Sequence, residues 1–546
     1  MLFMGKGGVF LYRKTRILGS LFFVVFATIG GYLGYVALDA DAIAANQGQS
    51  LRTITVAESR GTIYDAQLRP LVNEIKEYRA ALLPVDDLIL RVRSATDAAG
   101  HRTLWEHQRQ NTPAVVRLLR PVAVTEGIHL AHAPIRYSSK VLAVHLLGHL
   151  DGSGRHGASG IEAAFDAILT AYSGEATATF TVNGIGQVQR NSEIKGNSSL
   201  SDSIGGVALT IDLDVQQAVE EMAGSVEKGA VVVLDPYSGA IVASASFPTF
   251  HPEEVADSIA DDNGALLNRA LSLYDCGSVF KIVTAAAALE AGISPQRTYT
   301  CAGGMTVGNT VFHCHTRVGH QELNMEQAFA KSCNLYFIQL VQEIGAESLL
   351  RTAEKLGLYS DIVLANGIAA DGGLFPSLDK LTVPAALANL SFGQGELLLS
   401  PLHIAAMTAS IAANGVWTSP YLYKGEVDTS GTLHEEEGRG GRRVLSVNTS
   451  AQLQHMMELV VTEGTGKKAH PIETTAAGKT GTAQTGQLNN RNEVVQSWFT
   501  GYFPAKDPKY VITVLVEDAE NSGNNASEVF CEISNKLCQK EGKQTD

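Results

Sequence analysis

Three short stretches carry side chains suited to nucleophilic chemistry. In Ser278-Val279-Phe280-Lys281 a hydroxyl and an amine lie three residues apart, a spacing that puts both on one helix face. Serine is a poor nucleophile until a base takes its proton, and lysine can serve if burial and its neighbours keep the amine neutral. The helix N-terminus predicted there also favours negative charge at the oxygen. Ser332-Cys333-Asn334 sets a hydroxyl and an amide two residues apart, able to face one cleft if the chain turns there. Lys479-Thr480-Gly481-Thr482 enters a strand after Gly478. Alternation along a strand sends Lys479 and Gly481 to one face and Thr480 and Thr482 to the other. A glycine inside a strand often marks close approach by a ligand or another backbone. Alone, the first stretch also fits a solvated helix start and the second a polar step between helices. Together and in this order they point to one site.

The elements that must hold these residues are legible from periodicity. Thr284 to Glu290 reads as an Ala-rich helix, Met325 to Glu343 as an amphipathic one and Leu402 to Ala413 as a mostly apolar one. Ala230–Leu234 and Ile241–Ala245 form a predicted hairpin around Asp235-Pro236-Tyr237-Ser238-Gly239. Strands return after Gly478, with Ser497–Tyr502 and Tyr510–Val516 flanking a Pro504–Pro508 turn. A last helix from about Ala526 to Leu537 puts Phe530, Ile533 and Leu537 on one face. Strands at both ends with helices between them predict an α/β domain whose sheet closes across the sequence. Upstream, Thr53–Val56 alternates as a strand does, and Leu83–Thr96 and Ile161–Tyr172 read as helices. Residues 151–160 have the composition of a loop. The polar segment Asn191–Gly206 reads as a linker, with the main boundary near residue 200.

The first forty residues indicate a compartment. Lys6, Arg13, Lys14 and Arg16 precede an uncharged run, Ile17–Leu38, and Asp39 and Asp41 follow it. Twenty-two helical residues span about 33 Å, enough for a hydrocarbon core of about 30 Å. Basic residues on the N-terminal flank alone predict a cytoplasmic tail, a single membrane pass and everything beyond residue 38 outside. A cleaved signal peptide is the competing reading, since Ala40-Asp41-Ala42 fits the small-residue cleavage pattern. Either way the bulk of the chain is exported. A net charge of −14 excludes wholesale nucleic-acid binding, because no basic excess is left to neutralise phosphates. With 45% hydrophobic and 18% charged residues, a largely disordered chain is excluded too.

The motif set S-x-x-K, S-x-N and K-T-G belongs to penicillin-binding proteins and serine β-lactamases. On it the chain resembles the class B penicillin-binding proteins, D,D-transpeptidases of peptidoglycan synthesis. Supporting strings are Leu209-Thr210-Ile211-Asp212, Val233–Gly239, Asn268-Arg269-Ala270, Gly393-Gln394-Gly395 with Ser400-Pro401, and Ser497–Gly501. Arg60–Asp65 and Gly160-Ile161-Glu162 are similar to the family's pedestal motifs. Two departures stand out: Cys276 replaces the usual proline before Gly-Ser, and Ala66-Gln67-Leu68 follows Asp65 where Arg-Asn-Gly is common. The resemblance implies an α/β penicillin-binding transpeptidase (serine β-lactamase-like) domain, its central, mostly antiparallel sheet flanked by helices. One transmembrane helix and an α+β pedestal would precede it. The expected divisions are a tail at 1–16, an anchor at 17–38, a non-catalytic pedestal at 39–200 and the transpeptidase domain at 201–546.

By the same resemblance Ser278 attacks the penultimate D-alanine carbonyl of a stem peptide ending in D-Ala-D-Ala, and Lys281 takes its proton. Ser332 passes a proton to the leaving D-alanine, and Asn334 holds the substrate amide. Lys479, Thr480, Gly481 and Thr482 form the substrate strand, where Lys479 and the two threonines receive the terminal carboxylate. Backbone N–H groups of Ser278 and Thr482 form the oxyanion hole. β-Lactams acylate such a site, and a SEDS-family glycosyltransferase is the partner the family implies. The alternatives are a β-lactamase, a β-lactam sensor or a catalytically idle scaffold. No cofactor and no metal are required. Cys301, His313, Cys314, His315 and His320 nevertheless crowd one region. Their types suit zinc but the paired C-x-x-C spacing is missing. A Cys301–Cys314 disulfide, unpaired thiols and a metal stay open there. Cys531 and Cys538, seven residues apart on one predicted helix, are about 10 Å apart and beyond disulfide reach. His145 and His149 read as ordinary structural histidines.

Overall fold

The computed structural model describes residues 7–38, 51–183, 186–188, 193–260, 263–489, 492–523 and 525–544. The candidate cleavage site at Ala40-Asp41-Ala42 and the first residues of the supposed linker, Asn191 and Ser192, lie outside the described residues. The chain divides into two compact units.

The first unit draws on residues up to 59, on 76–134 and on 174–200. Its N-terminal helix, Gly7–Leu38, contains a stretch of 20 residues, Arg16–Tyr35, of mean hydropathy 1.9. That stretch is long and apolar enough to cross a membrane. Lys76–Leu82 is the middle strand of an antiparallel sheet between Ala114–Leu118 and Ile128–Pro134. Leu51–Ser59 pairs with Gly174–Thr181, which also pairs with Lys195–Ser198. The segment read as a linker is therefore partly a strand, because backbone pairing outweighs its polar composition. The helix expected over Leu83–Thr96 runs over Asp86–Arg93. Leu83 precedes Pro84, which keeps it out of the helical region, while Asp86, Asp87, Arg91 and Arg93 complement the helix dipole.

The second unit gathers 60–75, 135–173 and 201 onward. Two segments expected in the pedestal, 60–75 and 135–173, therefore pack with the chain beyond 200. Thr62–Tyr64 pairs in parallel with Gly206–Leu209. The buried Arg60 bonds to Glu162 and Asp166. Ile161–Tyr172 is two short helices, Gly160–Ala164 and Asp166–Ala171, interrupted at Phe165.

The core of this unit is a five-stranded antiparallel sheet. In chain order its elements begin with α1 (Leu213–Met222), capped by the Asp212 carboxylate on the N–H groups of Asp214 and Val215. The hairpin β1 (Gly229–Leu234) and β2 (Ile241–Phe247) follows. Helices α2 (Lys281–Glu290), α3 (Met325–Ala330), α4 (Asn334–Lys355, interrupted at Gly345), α5 (Pro401–Ala412) and α6 (Val447–Thr462) come next. Then come β3 (Ala477–Asn489), β4 (Asn492–Phe503), β5 (Tyr510–Val516) and α7 (Ala526–Gln544). The sheet order is β2-β1-β5-β4-β3, so chain separated by some 280 residues closes it. Strand β1 is apolar throughout because both faces are buried. Ala230, Val232 and Leu234 join the core that contains α2, α4 and α5. Val231 and Val233 join the one that contains α1 and α7. The predicted apolar face of α7 is buried there, with Phe530 against Phe499 at 4.6 Å between ring centroids.

Candidate active site

Ser278 lies one step before the helix predicted to carry it, in a 3₁₀ turn, Gly277–Phe280, that leads into α2 at Lys281. Side chains three apart eclipse in a 3₁₀ turn, which brings Lys281 Nζ to 3.0 Å from Ser278 Oγ. Val279 and Phe280 are buried and anchor the turn, while Ser278 is half-buried. Gly277 has φ of +55°, and a Cβ there would lie 2.4 Å from the Thr482 carbonyl oxygen. Only glycine lets the turn approach β3 so closely. The Gly277 N–H donates to Gly393 O at 3.0 Å, and Trp498 Nε1 donates to Asp275 O at 2.9 Å. Those two contacts brace the turn from the Gly393-Gln394-Gly395 loop and from β4.

The amphipathic helix expected over Met325–Glu343 is two helices, and the break falls at Ser332. Helix α3 starts with a reciprocal capping box between Asn324 and Gln327. It ends as Cys333 N–H donates to Ala328 O at 2.9 Å and Ser332 N–H to Phe329 O at 3.1 Å. This is a Schellman ending whose left-handed position, normally a glycine, is Ser332 with φ of +53°. Such a conformation costs a non-glycine residue on the order of 1–3 kcal/mol. The bend swings Ser332 and Asn334 toward Lys281, which a continuous helix would not do.

Four atoms ring Lys281 Nζ: Ser278 Oγ at 3.0 Å, Ser332 Oγ at 3.1 Å, Ser332 O at 2.7 Å and Asn334 Oδ1 at 2.6 Å. The two carbonyl oxygens can only accept, so they take both N–H groups of a neutral amine. The lone pair is then free for the Ser278 hydroxyl proton. Burial drives the Lys281 ammonium down from 10.5 to about 7, partly offset by the neighbouring Cys333 and Cys314 thiols. Lys479 approaches Ser332 from the other side, with Nζ 3.0 Å from Oγ and 2.9 Å from Thr480 O. It too is held well below its ordinary value, by burial and then by Lys281. The resulting path, Ser278–Lys281–Ser332–Lys479, has every step within hydrogen-bonding range.

Strand β3 carries the third motif with the alternation read from sequence. Lys479 and Gly481 are buried, Thr480 is half-buried and Thr482 exposed. Gly481 backs onto the Ser278 turn: a Cβ there would lie 3.0 Å from Cys276 O, Val279 Cγ1 and Trp498 Cβ. The structure thus brings Ser278, Lys281, Ser332, Asn334 and Lys479 into one hydrogen-bonded cluster, with Gly481 and Thr482 backing the Ser278 turn and Thr480 between them on β3. Sequence reasoning missed Thr465, whose hydroxyl is 2.7 Å from that of Thr480. It also missed Phe337 and Phe329, whose rings lie 5.6 and 5.7 Å from the Lys281 and Lys479 ammonium nitrogens. Neither signal is local, since both depend on where helices land. The six cysteines are all unbridged, so the Cys301–Cys314 disulfide is not formed. His145 Nε2 donates to Ala265 O at 2.7 Å and the ring is half-buried, a structural role.

Residues 229–535 match the penicillin binding protein transpeptidase domain. The chain is 31% identical to the penicillin-binding protein PbpB of Mycolicibacterium smegmatis, over 74% of this chain and 64% of that protein. It is 33% identical to the peptidoglycan D,D-transpeptidase PbpA of the same organism, over 58% of this chain and 67% of that protein. The chain thus spans about two thirds of the length of these relatives. Among solved structures, penicillin binding protein 3 of Mycobacterium tuberculosis in complex with ampicillin is 26% identical. It aligns with a TM-score of 0.64 over 90% of this chain and 96% of that one. The match covers more than half of the chain and coincides with the unit that holds all three motifs, so this chain belongs to the class B penicillin-binding proteins.

Proposed function

We propose that this protein is a membrane-anchored serine D,D-transpeptidase that cross-links peptidoglycan stem peptides ending in D-Ala-D-Ala and is acylated by β-lactams. The observation that carries the reading is the Ser278–Lys281–Ser332–Lys479 relay, with successive N···O distances of 3.0, 3.1 and 3.0 Å. Ser278 Oγ bonds to the penultimate D-alanine carbonyl carbon as its proton passes to Lys281. The carbon–nitrogen bond to the terminal D-alanine breaks, and the proton returns through Ser332 to the leaving amine. An amine of a neighbouring stem then displaces Ser278 from the acyl-enzyme. Asn334 orients the substrate amide. The exposed Thr482 and half-buried Thr480 offer hydroxyls to the terminal carboxylate, with Lys479 charged beneath them when the substrate is bound. Backbone N–H groups of Ser278 and Thr482 receive the oxyanion, a contact worth about 3–4 kcal/mol per donor.

The anchor is the apolar helix, crossing once, with the catalytic unit outside; basic residues on its N-terminal flank alone support that orientation. Residues 39–200 supply non-catalytic structure, apart from 60–75 and 135–173, which pack with the catalytic unit. The partner is a SEDS-family glycosyltransferase. A protein of the same fold, 23% identical, comes from a peptidoglycan synthase complex that coordinates polymerisation and crosslinking.

The test is the intact mass of the full chain after brief exposure to a penicillin, followed by peptide mapping. A lasting adduct on the peptide bearing Ser278 is expected. Drug turnover without a lasting adduct would mean a hydrolase, and neither adduct nor turnover a scaffold. The acylation rate should also rise as pH increases through about 7 and then level off, because the base works only when neutral and burial places Lys281 there. Stopped-flow acylation across that range measures it. A rate still climbing toward the ordinary lysine range would remove Lys281 as the base.

A further inference from the structure

Three cysteines and a histidine outside the relay converge on the far side of the Ser332 turn. Cys301 ends the strand Tyr299–Cys301, and Cys314 follows the hairpin of Gly304–Val307 and Thr310–His313. His320 precedes the strand Gln321–Leu323, and Cys333 is the N-cap of α4. Their four donor atoms all lie within 4.8 Å of one another. Cys314 Sγ is 4.0 Å from Cys333 Sγ, and His320 Nδ1 is 3.6 Å from Cys301 Sγ and 3.4 Å from Cys314 Sγ. A tetrahedral zinc with bonds of about 2.3 Å to sulfur and 2.0–2.1 Å to nitrogen has S···S edges of about 3.8 Å and S···N edges of about 3.5 Å. A disulfide needs its sulfurs about 2.05 Å apart, and three thiols would leave one over.

We propose that Cys301, Cys314, His320 and Cys333 form a zinc site that clamps the Ser332-Cys333-Asn334 turn to the segment 299–323. The second ring nitrogen of His320 supports it: Nε2 lies 3.1 Å from Thr316 Oγ1. Donating there fixes the tautomer that leaves the Nδ1 lone pair facing the sulfurs, as metal-bound histidines usually require. The three sulfurs are buried, at 1%, 1% and 0% exposure for Cys301, Cys314 and Cys333, which suits a closed structural site rather than a hydrolytic one with an open position. Soft thiolates and an imidazole select zinc over magnesium or calcium. The site also gives the strained φ of Ser332 a support, since the next residue in the chain would be tied to metal. His315 Nδ1, 3.8 Å from Cys314 Sγ, is the nearest further donor and sits outside the four.

The experiment uses the full chain in detergent, purified without chelator, with zinc ion alone as the probe. Expected are one tightly held zinc per chain by elemental analysis, its loss in Cys301→Ser, and affinity weakened about 10–100-fold in Thr316→Val, which touches no ligand sulfur. Cobalt in place of zinc should give thiolate-to-metal charge transfer and the absorption of a tetrahedral site. Chelation should lower the melting temperature, with recovery on adding zinc but not magnesium. A folded chain that takes up no added zinc overturns the proposal. So does zinc retained in full by Cys301→Ser, or a mass showing two of the three thiols oxidised to a disulfide as purified. None of these readouts depends on transpeptidase activity.

Discussion

Ser278→Ala is expected to abolish the lasting penicillin adduct while leaving the fold in place. The Ser278 hydroxyl is half-buried and its contact to Lys281 Nζ is one of four that nitrogen makes. Losing one such hydrogen bond costs about 0.5–1.5 kcal/mol, so the melting temperature should move little. The chemistry has no such reserve. The other hydroxyl on Lys281, Ser332 Oγ, is buried between two lysine nitrogens at 3.1 and 3.0 Å, behind the turn rather than at its opening. Intact-protein mass after exposure to a penicillin, beside a melting curve, separates the two effects. An adduct of full yield on the alanine variant would place the nucleophile elsewhere and end the assignment. A variant that fails to acylate and also fails to fold would not fit either, because nothing in the turn's packing rests on this oxygen.

The second large effect lies in the segment that the sequence reading placed in the pedestal. Glu162 is fully buried and accepts from Arg60 Nε at 3.1 Å, Arg136 Nε at 2.7 Å and the Tyr137 hydroxyl at 2.9 Å. Arg60 also reaches Asp166 at 2.7 Å, but Arg136 makes its ion pair with Glu162. Glu162→Ala leaves two guanidinium groups without their shared carboxylate, and breaking a buried pair in this way costs about 3–5 kcal/mol. Thermal unfolding should show a drop of several degrees, with a smaller one for Glu162→Gln, which keeps an acceptor oxygen but not the charge. A shift within about 0.5 kcal/mol, the usual range for surface substitutions, would mean that the cluster is not holding the unit together.

Much of this protein was legible without coordinates because the information is local. An uncharged helix long enough to cross a membrane, the Ser278–Lys281 spacing, the apolar β1 run and the alternation of Lys479-Thr480-Gly481-Thr482 all depend on residues within a turn or a strand of each other. Periodicity reports such things directly. The failures share a cause as well. Met325–Glu343 reads as one helix because Ser332 shows no glycine at the left-handed position where helices usually stop. Asn191–Gly206 reads as a linker because pairing with a distant strand leaves no mark on composition. The pairing of Thr62–Tyr64 with Gly206–Leu209 is equally invisible in composition.

The sequence by itself determined which side chains were available and in what order, and hence the family. Only the tertiary structure decided which of them meet. Lys281 and Lys479 are 198 residues apart, yet both reach one Ser332 hydroxyl because the sheet register holds β3 beside the Ser278 turn and the break between α3 and α4 aims Ser332 at both. Whether Cys301 and Cys314 pair with each other or join Cys333 and His320 was likewise undecidable from spacing. Bridging and ligation differ by about 2 Å between sulfurs, and a distance that fine is set by how four separate segments pack.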